Sequence, residues 1–270
     1  MPPRSATINV MAGAALKAAR GLIRDFGEVE QLQVSVKGPG DFVSAADLKA
    51  EKVLRTELGK ARPNYGFVME ESGSTPGVDV HHRWIVDPLD GTTNFLHGIP
   101  HFAISIALER DGEVIAGVIY EPVRDEMFWA EKGAGAFHND RRLRVSARRQ
   151  LSEALIGTGI PFIGRGNHAR YNATLAAVMA ATSGVRRLGV ASLDLAYVAA
   201  GRFEGFWEFG LRPWDLAAGI LIVREAGGYV TDIAGGPGMM TSGDVLAAND
   251  HLHQPLLQLL KKALAEPAAN

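Results

Sequence analysis

Apolar residues at Ile8, Met11, Ala12, Ala15, Leu16, Ala19, Ile23 and Phe26 recur at helical spacing, which predicts an amphipathic first helix. A loop at Lys37-Gly38-Pro39-Gly40 follows, and Ser44-Ala45-Ala46-Asp47 then opens a second helix through Leu48, Leu54 and Leu58 that stops before Pro63. Apolar runs at 67–69 and 83–86 read as short strands. The second closes on Asp87-Pro88, a pair expected to release the chain from its sheet. Residues 102–145 read as a meander: FAISIAL, a turn at Asp111-Gly112, EVIAGVIY, EMFWAE, a glycine-rich turn and RLRV. Its neighbouring strands should be antiparallel. Beyond it, strands at 154–159, 186–190, 203–209, 229–233 and 245–248 interleave with helices at 168–182, 192–200, 214–226 and 252–264. This is a layered α/β chain. No Pro-, Ser- or charge-rich linker divides it and no repeat is visible, so residues 1–270 read as one compact unit with lobes of about 1–146 and 147–270, meeting near 146–153.

Composition narrows the chemistry. With 270 residues and 47% hydrophobic content, the chain can bury a core without covalent staples. Twenty-eight basic against thirty acidic residues leave a net charge of −2, so no global cationic field draws it to nucleic acid or an anionic membrane, and neither is an expected partner. The absence of cysteine excludes a disulfide framework, thiolate metal sites and every cysteine nucleophile. Uncharged apolar stretches such as 173–185 and 216–223 fall short of the roughly 18 residues of a membrane span. The segment after Arg4 has some signal-peptide character, but Asn9 interrupts it and the helical spacing argues for a retained helix; cytoplasm is the expected location.

The most informative segment is Trp84-Ile85-Val86-Asp87-Pro88-Leu89-Asp90-Gly91-Thr92-Thr93-Asn94-Phe95. An apolar strand delivers two carboxylates three residues apart into a turn made by Pro88 and Gly91, with hydroxyl residues at a helix start. Unpaired amides at Gly91 and Thr92 would suit a phosphate. Carboxylates beside such a cradle suit a hard cation, Mg²⁺ rather than Zn²⁺. Asp-Pro and Asp-Gly are also ordinary turn formers. Two further acids argue against turn chemistry alone: Glu70 follows an apolar strand, and Asp215 lies in the first turn of an apolar helix, the places where an α/β sheet opens its ligand crevice. The i, i+3 spacing of Asp87 and Asp90 fits badly with an aspartyl-phosphate DxD pair. There is no phosphohistidine RHG motif and no GxxxxGK[ST] phosphate loop. Hydrolysis of a phosphate ester by water, assisted by clustered cations, survives this elimination.

Glu70-Glu71-Ser72, WIVDPLDGTTNF at 84–95 and PWDLAAGILIVREAGG at 213–228 resemble the three signature segments of the inositol monophosphatase family, the Mg²⁺-dependent, lithium-sensitive phosphatases. The likeness runs from Asp41-Phe42-Val43-Ser44-Ala45-Ala46-Asp47 to the last strand. It implies a five-layer αβαβα sandwich of the inositol monophosphatase/fructose-1,6-bisphosphatase type, a homodimer, and two to three Mg²⁺ ions per active site. It assigns Glu70, Asp87 and the Leu89 carbonyl to the first ion, Asp87, Asp90 and Asp215 to the second, and Glu70 also to a weak third. By the same likeness Asp47 bonds the Thr92 hydroxyl and the pair orients the attacking water, while Gly91 and Thr92 amides hold the phosphate. Gly189, Val190, Ala191 and Glu208 would face the substrate, and Lys37 matches a lysine of the family's mobile active-site loop. Val190 departs from the Ser or Thr usual at its position, which loosens the substrate assignment. Thr93 stands where relatives acting on phosphoadenosine phosphate or histidinol phosphate tend to carry Lys, so the inositol-phosphate branch is the better match, with those substrates and fructose bisphosphate as alternatives. Some bacterial relatives contact the transcription machinery, which keeps a second class of partner in view.

Other residues have plainer readings. Gly98 and Pro100 between His97 and His101 spoil presentation to one metal, so both histidines are expected to pack or bond within loops. The five arginines within 141–149 read as a solvated strand edge. Arg186 and Arg187 lead into the substrate turn, where they would steer phosphate or brace a dimer, and Trp84, Trp129, Trp207 and Trp214 read as core.

Overall fold

Ser5 caps the first helix, α1 (Ala6–Phe26), by accepting from the Ile8 N–H at 3.2 Å. The computed structural model describes residues 4–28, 34–38, 41–164 and 166–265. Strands β1 (Val34–Gly38) and β2 (Asp41–Ser44) form an antiparallel hairpin where a loop was expected. The side chain of Lys37, and residues Pro39 and Gly40, lie outside the described ones. Ser44 then caps α2 (Ala45–Ala61), at the helix start expected from the sequence: its hydroxyl accepts from Ala46 N–H, and Asp47 accepts from the Ser44 N–H at 2.8 Å in a capping box. The two helices run antiparallel, tied by Lys17–Glu57 at 2.8 Å and Lys49–Asp25 at 3.0 Å.

Ile8, Met11, Ala12, Ala15 and Ala19 of the predicted α1 stripe are buried, but the buried face also takes in Ala14, Ala18, Leu22 and Asp25, while Leu16 and Ile23 are 39% and 42% exposed. The helix must meet α2 and a sheet at once, and the pairing of Asp25 with Lys49 and Arg24 lets a carboxylate occupy the inner face.

That sheet has eight strands: β3 (Tyr65–Met69), β4 (Gly73–Thr75), β5 (Asp79–Asp90), β6 (Ala103–Arg110), β7 (Glu113–Glu121), β8 (Glu126–Glu131), β9 (Gly135–His138) and β10 (Arg141–Arg142), in the order β10-β9-β8-β7-β6-β5-β3-β4. The meander 102–145 is antiparallel as predicted, and only β3 and β5 pair in parallel. Strand periodicity sorts its side chains. Trp84, Val86, Ile104, Ile106, Val118 and Trp129 face α1 and α2, while Ile85, Ala103, Ala107, Ile119 and Phe128 face the middle of the molecule. The arginine-rich strand β10 is the sheet's exposed edge, as its charge suggested.

After the short helix α3 (Thr92–Leu96), the second half supplies β11 (Leu155–Thr158), α4 (His168–Ala181), β12 (Gly184–Arg186), α5 (Ala191–Ala199), β13 (Gly205–Glu208), α6 (Pro213–Glu225), β14 (Tyr229–Thr231), α7 (Met239–Ser242), β15 (Val245–Ala248) and α8 (His253–Ala265). Its five strands order as β12-β11-β13-β15-β14. Helices α5 and α6 fill the space between the two sheets, and α4 and α8 cover the far face of the second, which completes the five αβαβα layers. The central core draws on both halves of the chain, from Ile85 to Ala247. Trp84, Trp129 and Trp207 are buried in it or in the flanking cores, and Trp214 packs against it from a half-buried position.

Two strand boundaries differ from expectation at places that matter later. Asp87-Pro88 does not release β5: the strand bulges between Asp87 and Asp90 and rejoins β6 through Asp90 and Ala103, because Pro88 falls in the unpaired bulge. In contrast, β12 ends at Arg186 instead of continuing to Val190. The chain turns away at Gly189 (φ +80°), and the Leu188 carbonyl is claimed by a side chain of the other half.

The α5–α6 contact is close enough to test. A Cβ on Gly219 would lie 2.5 Å from Leu195 Cδ1 and 2.6 Å from its Cβ. In an exposed helix Gly→Ala stabilises by about 1 kcal/mol. Here Gly219→Ala is expected to destabilise by about 1–3 kcal/mol through overpacking, and a gain of stability in urea titration would contradict this packing.

Candidate active site

Parallel pairing sets the first two carboxylates side by side. Met69 is in register with Val86, so Glu70 and Asp87 emerge together from the ends of β3 and β5, and the Glu70 N–H bonds the Val86 carbonyl at 3.3 Å. Behind Glu70, the Glu71 N–H donates to Glu51 Oε2 of α2 at 2.9 Å, which holds this corner down. Asp87 Oδ1 accepts from the Leu89 N–H at 2.9 Å and closes a local turn across the bulge. Asp90 follows, its Oδ2 accepting from the Ser192 N–H at the start of α5 at 2.7 Å.

Gly91 begins α3 with φ +96°, a left-handed value that favours glycine. A Cβ here would lie 2.8 Å from Val190 Cγ2 and 3.3 Å from the His101 carbonyl, so the loop has no room for one. Thr92 Oγ1 lies 3.0 Å from both Asp47 Oδ1 and the Leu89 carbonyl, to either of which it can donate. Asp47 itself is fully buried and also accepts from the Ser44 hydroxyl at 2.5 Å.

The fourth carboxylate comes from the second half. Pro213 starts α6, and Asp215 Oδ2 accepts from the Arg212 N–H at 2.7 Å. Ser105, directly opposite Asp87 across the β5–β6 ladder, donates to the Trp214 carbonyl at 3.1 Å and so pins the start of α6 beside Asp87.

These elements surround one cavity of about 470 Å³. Glu70, Asp87, Leu89, Asp90, Gly91, Thr92, Gly189, Ala191, Glu208 and Asp215 line it. Two of the residues singled out from sequence stand elsewhere. Asp47 lies behind the wall, reaching it through Thr92, and Val190 has no exposed surface because its side chain packs on Gly91. His97 and His101 do not line the cavity: His97 is exposed, while His101 lies against Glu121 and Arg124. Arg187 reaches the cavity and Arg186 does not.

Burial pushes the Asp87 carboxyl well above the usual carboxylate range, and the charges of Glu70, Asp90 and Asp215 add to the shift. Asp215 is raised in the same way, by burial and then by Asp90, against the opposing bond from Arg212. Asp90 is raised by burial, with the Ser192 bond pulling the other way. Burial also raises Asp47, opposed by its bonds from Ser44 and Thr92.

The donor set fits a hard divalent cation. It consists of carboxylates and a main-chain carbonyl, includes no His or Cys, and holds negative charges that repel one another, with Arg170 and Arg187 the cationic side chains on the same cavity wall. Among the described residues no group of three or more acidic, His or Cys side chains is placed to hold a metal ion as the side chains stand. The carboxylates share the cavity as mutually repelling neighbours.

Several contributors escaped the sequence reading. Ser105 left one faint signal, a hydroxyl on the otherwise apolar inner face of FAISIAL; Glu51 left none. Gly159 lines the cavity opposite Glu208, whose carboxyl occupies the space a Cβ would take. Asp194 of α5 is 1% exposed, and neither of its carboxyl oxygens has a hydrogen-bond partner. Burial, and then Glu208 and Asp90, raise its carboxyl well above the ordinary range, with Arg187 opposing.

The Asp194 shift has a defined sign. A carboxyl raised in the folded state binds more protons there than in the unfolded chain, so its destabilising effect grows as pH climbs from about 4, the ordinary carboxylate value, toward the folded value. In EDTA, the stability of Asp194→Asn relative to the unsubstituted protein should therefore increase with pH across that window. Urea titrations at several pH values measure it, and a pH-independent difference would exclude the assignment.

Comparison with known proteins agrees with this architecture. Residues 4–265 match the model of the inositol monophosphatase family. An inositol-1-monophosphatase of Mesorhizobium japonicum is 61% identical, covering 97% of this chain and 98% of that protein. The Nus factor SuhB of Escherichia coli is 41% identical over 96% of this chain and 97% of its own. The crystal structure of extragenic suppressor protein suhB from Bartonella henselae superposes with a TM-score of 0.94 at 60% identity, covering 96% of this chain and 99% of that one. On sequence, fold and the cavity's carboxylates together, the chain belongs to the inositol monophosphatase family.

Proposed function

We propose that this chain is a phosphoric monoester hydrolase that uses Mg²⁺ to hydrolyse myo-inositol monophosphate to inositol and phosphate. The observation that carries this reading is the single cavity in which carboxylates of β3, β5 and α6 meet beside the amides that open α3. Glu70, Asp87 and the Leu89 carbonyl would hold one ion, Asp87, Asp90 and Asp215 a second, and Glu70 a weaker third. Bound there, the ions would supply positive charge to the entering and leaving oxygens of the phosphate. The Gly91 and Thr92 N–H groups hold the phosphate, at a helix start where they have no helical partners. Asp47 orients the Thr92 hydroxyl, and that pair positions the attacking water. Glu208, Gly189 and Ala191 face the polyol end of the cavity, and Val190 supports that end through its packing on Gly91.

The close relationship to inositol-1-monophosphatases supports inositol phosphate over histidinol phosphate, fructose bisphosphate or phosphoadenosine phosphate. A single compact phosphatase unit over 1–270, with lobes of about 1–146 and 147–270, belongs to the same reading, as do lithium sensitivity, a homodimer and a cytoplasmic location. No helix among the described residues is long and apolar enough to cross a membrane. The relatives named Nus factor SuhB support a second role, contact with the transcription machinery, for which the exposed edge around Arg141 and Arg142 is the charged surface at hand.

Asp87→Asn removes one charge from two proposed ion sites at once. It should lower Mg²⁺-dependent phosphate release from myo-inositol 1-phosphate by more than about a hundredfold with an unchanged circular dichroism spectrum. Turnover within about tenfold of the unsubstituted enzyme would overturn the ligand assignment. A panel including the three alternative phosphates, assayed with and without Mg²⁺, tests the substrate.

A further inference from the structure

The loop 90–96 and the turn 187–191 come from opposite halves of the sequence, yet they form adjoining walls of one cavity. Asn94 joins them. It is 5% exposed, and its side-chain nitrogen donates to the His101 carbonyl at 3.0 Å and to the Leu188 carbonyl at 2.9 Å. Both amide hydrogens are thereby committed, and a side-chain amide is well matched to two carbonyls that converge on one point. Asp90 and Gly91 touch the same turn, through the Ser192 N–H at 2.7 Å and the Val190 side chain, but their proposed tasks lie with the cations and the phosphate. Asn94 has no such task.

The two ends of the cavity are supported differently. Its phosphate end is built on β3, β5 and α3, which the eight-stranded sheet holds in register. Its polyol end rests on the turn 187–191, which has already left β12 at Arg186 and passes through Gly189 at φ +80°. No strand partner takes the Leu188 carbonyl; Asn94 does. The Leu188 carbonyl is only partly buried, so without Asn94 it would turn to water or another donor, and the turn would move to do so.

Resting on the phosphatase reading above, we propose that Asn94 is the positioning residue that sets the polyol-facing turn against the phosphate loop, and thereby selects which alcohol portion of a phosphate monoester the enzyme accepts. The discriminating quantity is a ratio between two substrates, since a general loss of fold or of cations lowers both together. Myo-inositol 1-phosphate requires the turn, whereas p-nitrophenyl phosphate carries no ring hydroxyls for it to meet.

The test compares Asn94→Ala and Asn94→Ser with the unsubstituted enzyme in Mg²⁺, and follows amide hydrogen exchange over 187–192. For the alanine variant, the ratio of kcat/KM for inositol 1-phosphate to that for p-nitrophenyl phosphate should fall at least about tenfold, mainly through KM of the polyol substrate. Exchange at 187–192 should accelerate. Ser, which keeps one donor, should lie between, and it serves alone if the alanine variant does not fold. An equal fall on both substrates, or unchanged exchange at 187–192, overturns the proposal. If the unsubstituted enzyme hydrolyses neither substrate, the functional reading has failed; the exchange data still decide whether Asn94 holds the turn.

Discussion

Everything about this site follows from crowding four negative charges into one partly buried space. Two unit charges about 4 Å apart repel by roughly 4 kcal/mol at an effective dielectric constant of about 20, a large share of the roughly 5–15 kcal/mol that keeps a typical domain folded. The raised proton affinities of Asp87 and Asp215 express first the cost of burial and then that repulsion. A fold that tolerates such a cluster must hold each carboxylate from outside it. The Leu89 amide holds Asp87, the Ser192 amide holds Asp90, and the Arg212 amide holds Asp215, each by a hydrogen bond of 2.7–2.9 Å. Because these donors are main-chain groups, the positions of the acids are set by backbone geometry and not by opposing charged side chains.

The same constraint explains why both halves of the chain are needed. The eight-stranded sheet brings Glu70, Asp87 and Asp90 together at the ends of two interior strands, but Asp215 lies on α6, between the layers. Small inward residues of β6, Ala103, Ser105 and Ala107, allow α6 close to the strand, and the Ser105 hydroxyl turns that proximity into a specific anchor on the Trp214 carbonyl. On the opposite side of the cavity, Asn94 and Val190 fasten the loop after β5 to the turn before α5. The cavity is thus a junction between two sheets, and the ties that define it are polar bonds and one methyl contact across the central core.

Much of this was legible from residue pattern, and the failures share a cause. The capping box at Ser44 and Asp47, the meander and the start of α6 are local features, written by residues within a few positions of one another. The errors arose where a distant partner decided the outcome. Leu16 and Ile23 obeyed helical spacing but faced outward once α2 and the sheet chose the inner face. Asp87-Pro88 looked like a strand end, and became a bulge because β6 pairs again beyond it. The strand expected at 186–190 ends at Arg186, where the chain turns away through Gly189 and its Leu188 carbonyl is bonded by an asparagine nearly a hundred residues away.

By itself, the sequence determined the class of chemistry available. Oxygen donors without cysteine, two acids at i and i+3 beside a helix start, and two more at a strand end and a helix start point to a hard cation and a phosphate, since these preferences reside in the functional groups themselves. Tertiary structure alone decided that those acids share a cavity, that Asp47 bonds Thr92 from behind its wall, and that Val190 packs instead of facing the cavity. Such outcomes depend on strand register and layer spacing, which are set by contacts between residues far apart in the chain, and no short window of sequence contains both partners.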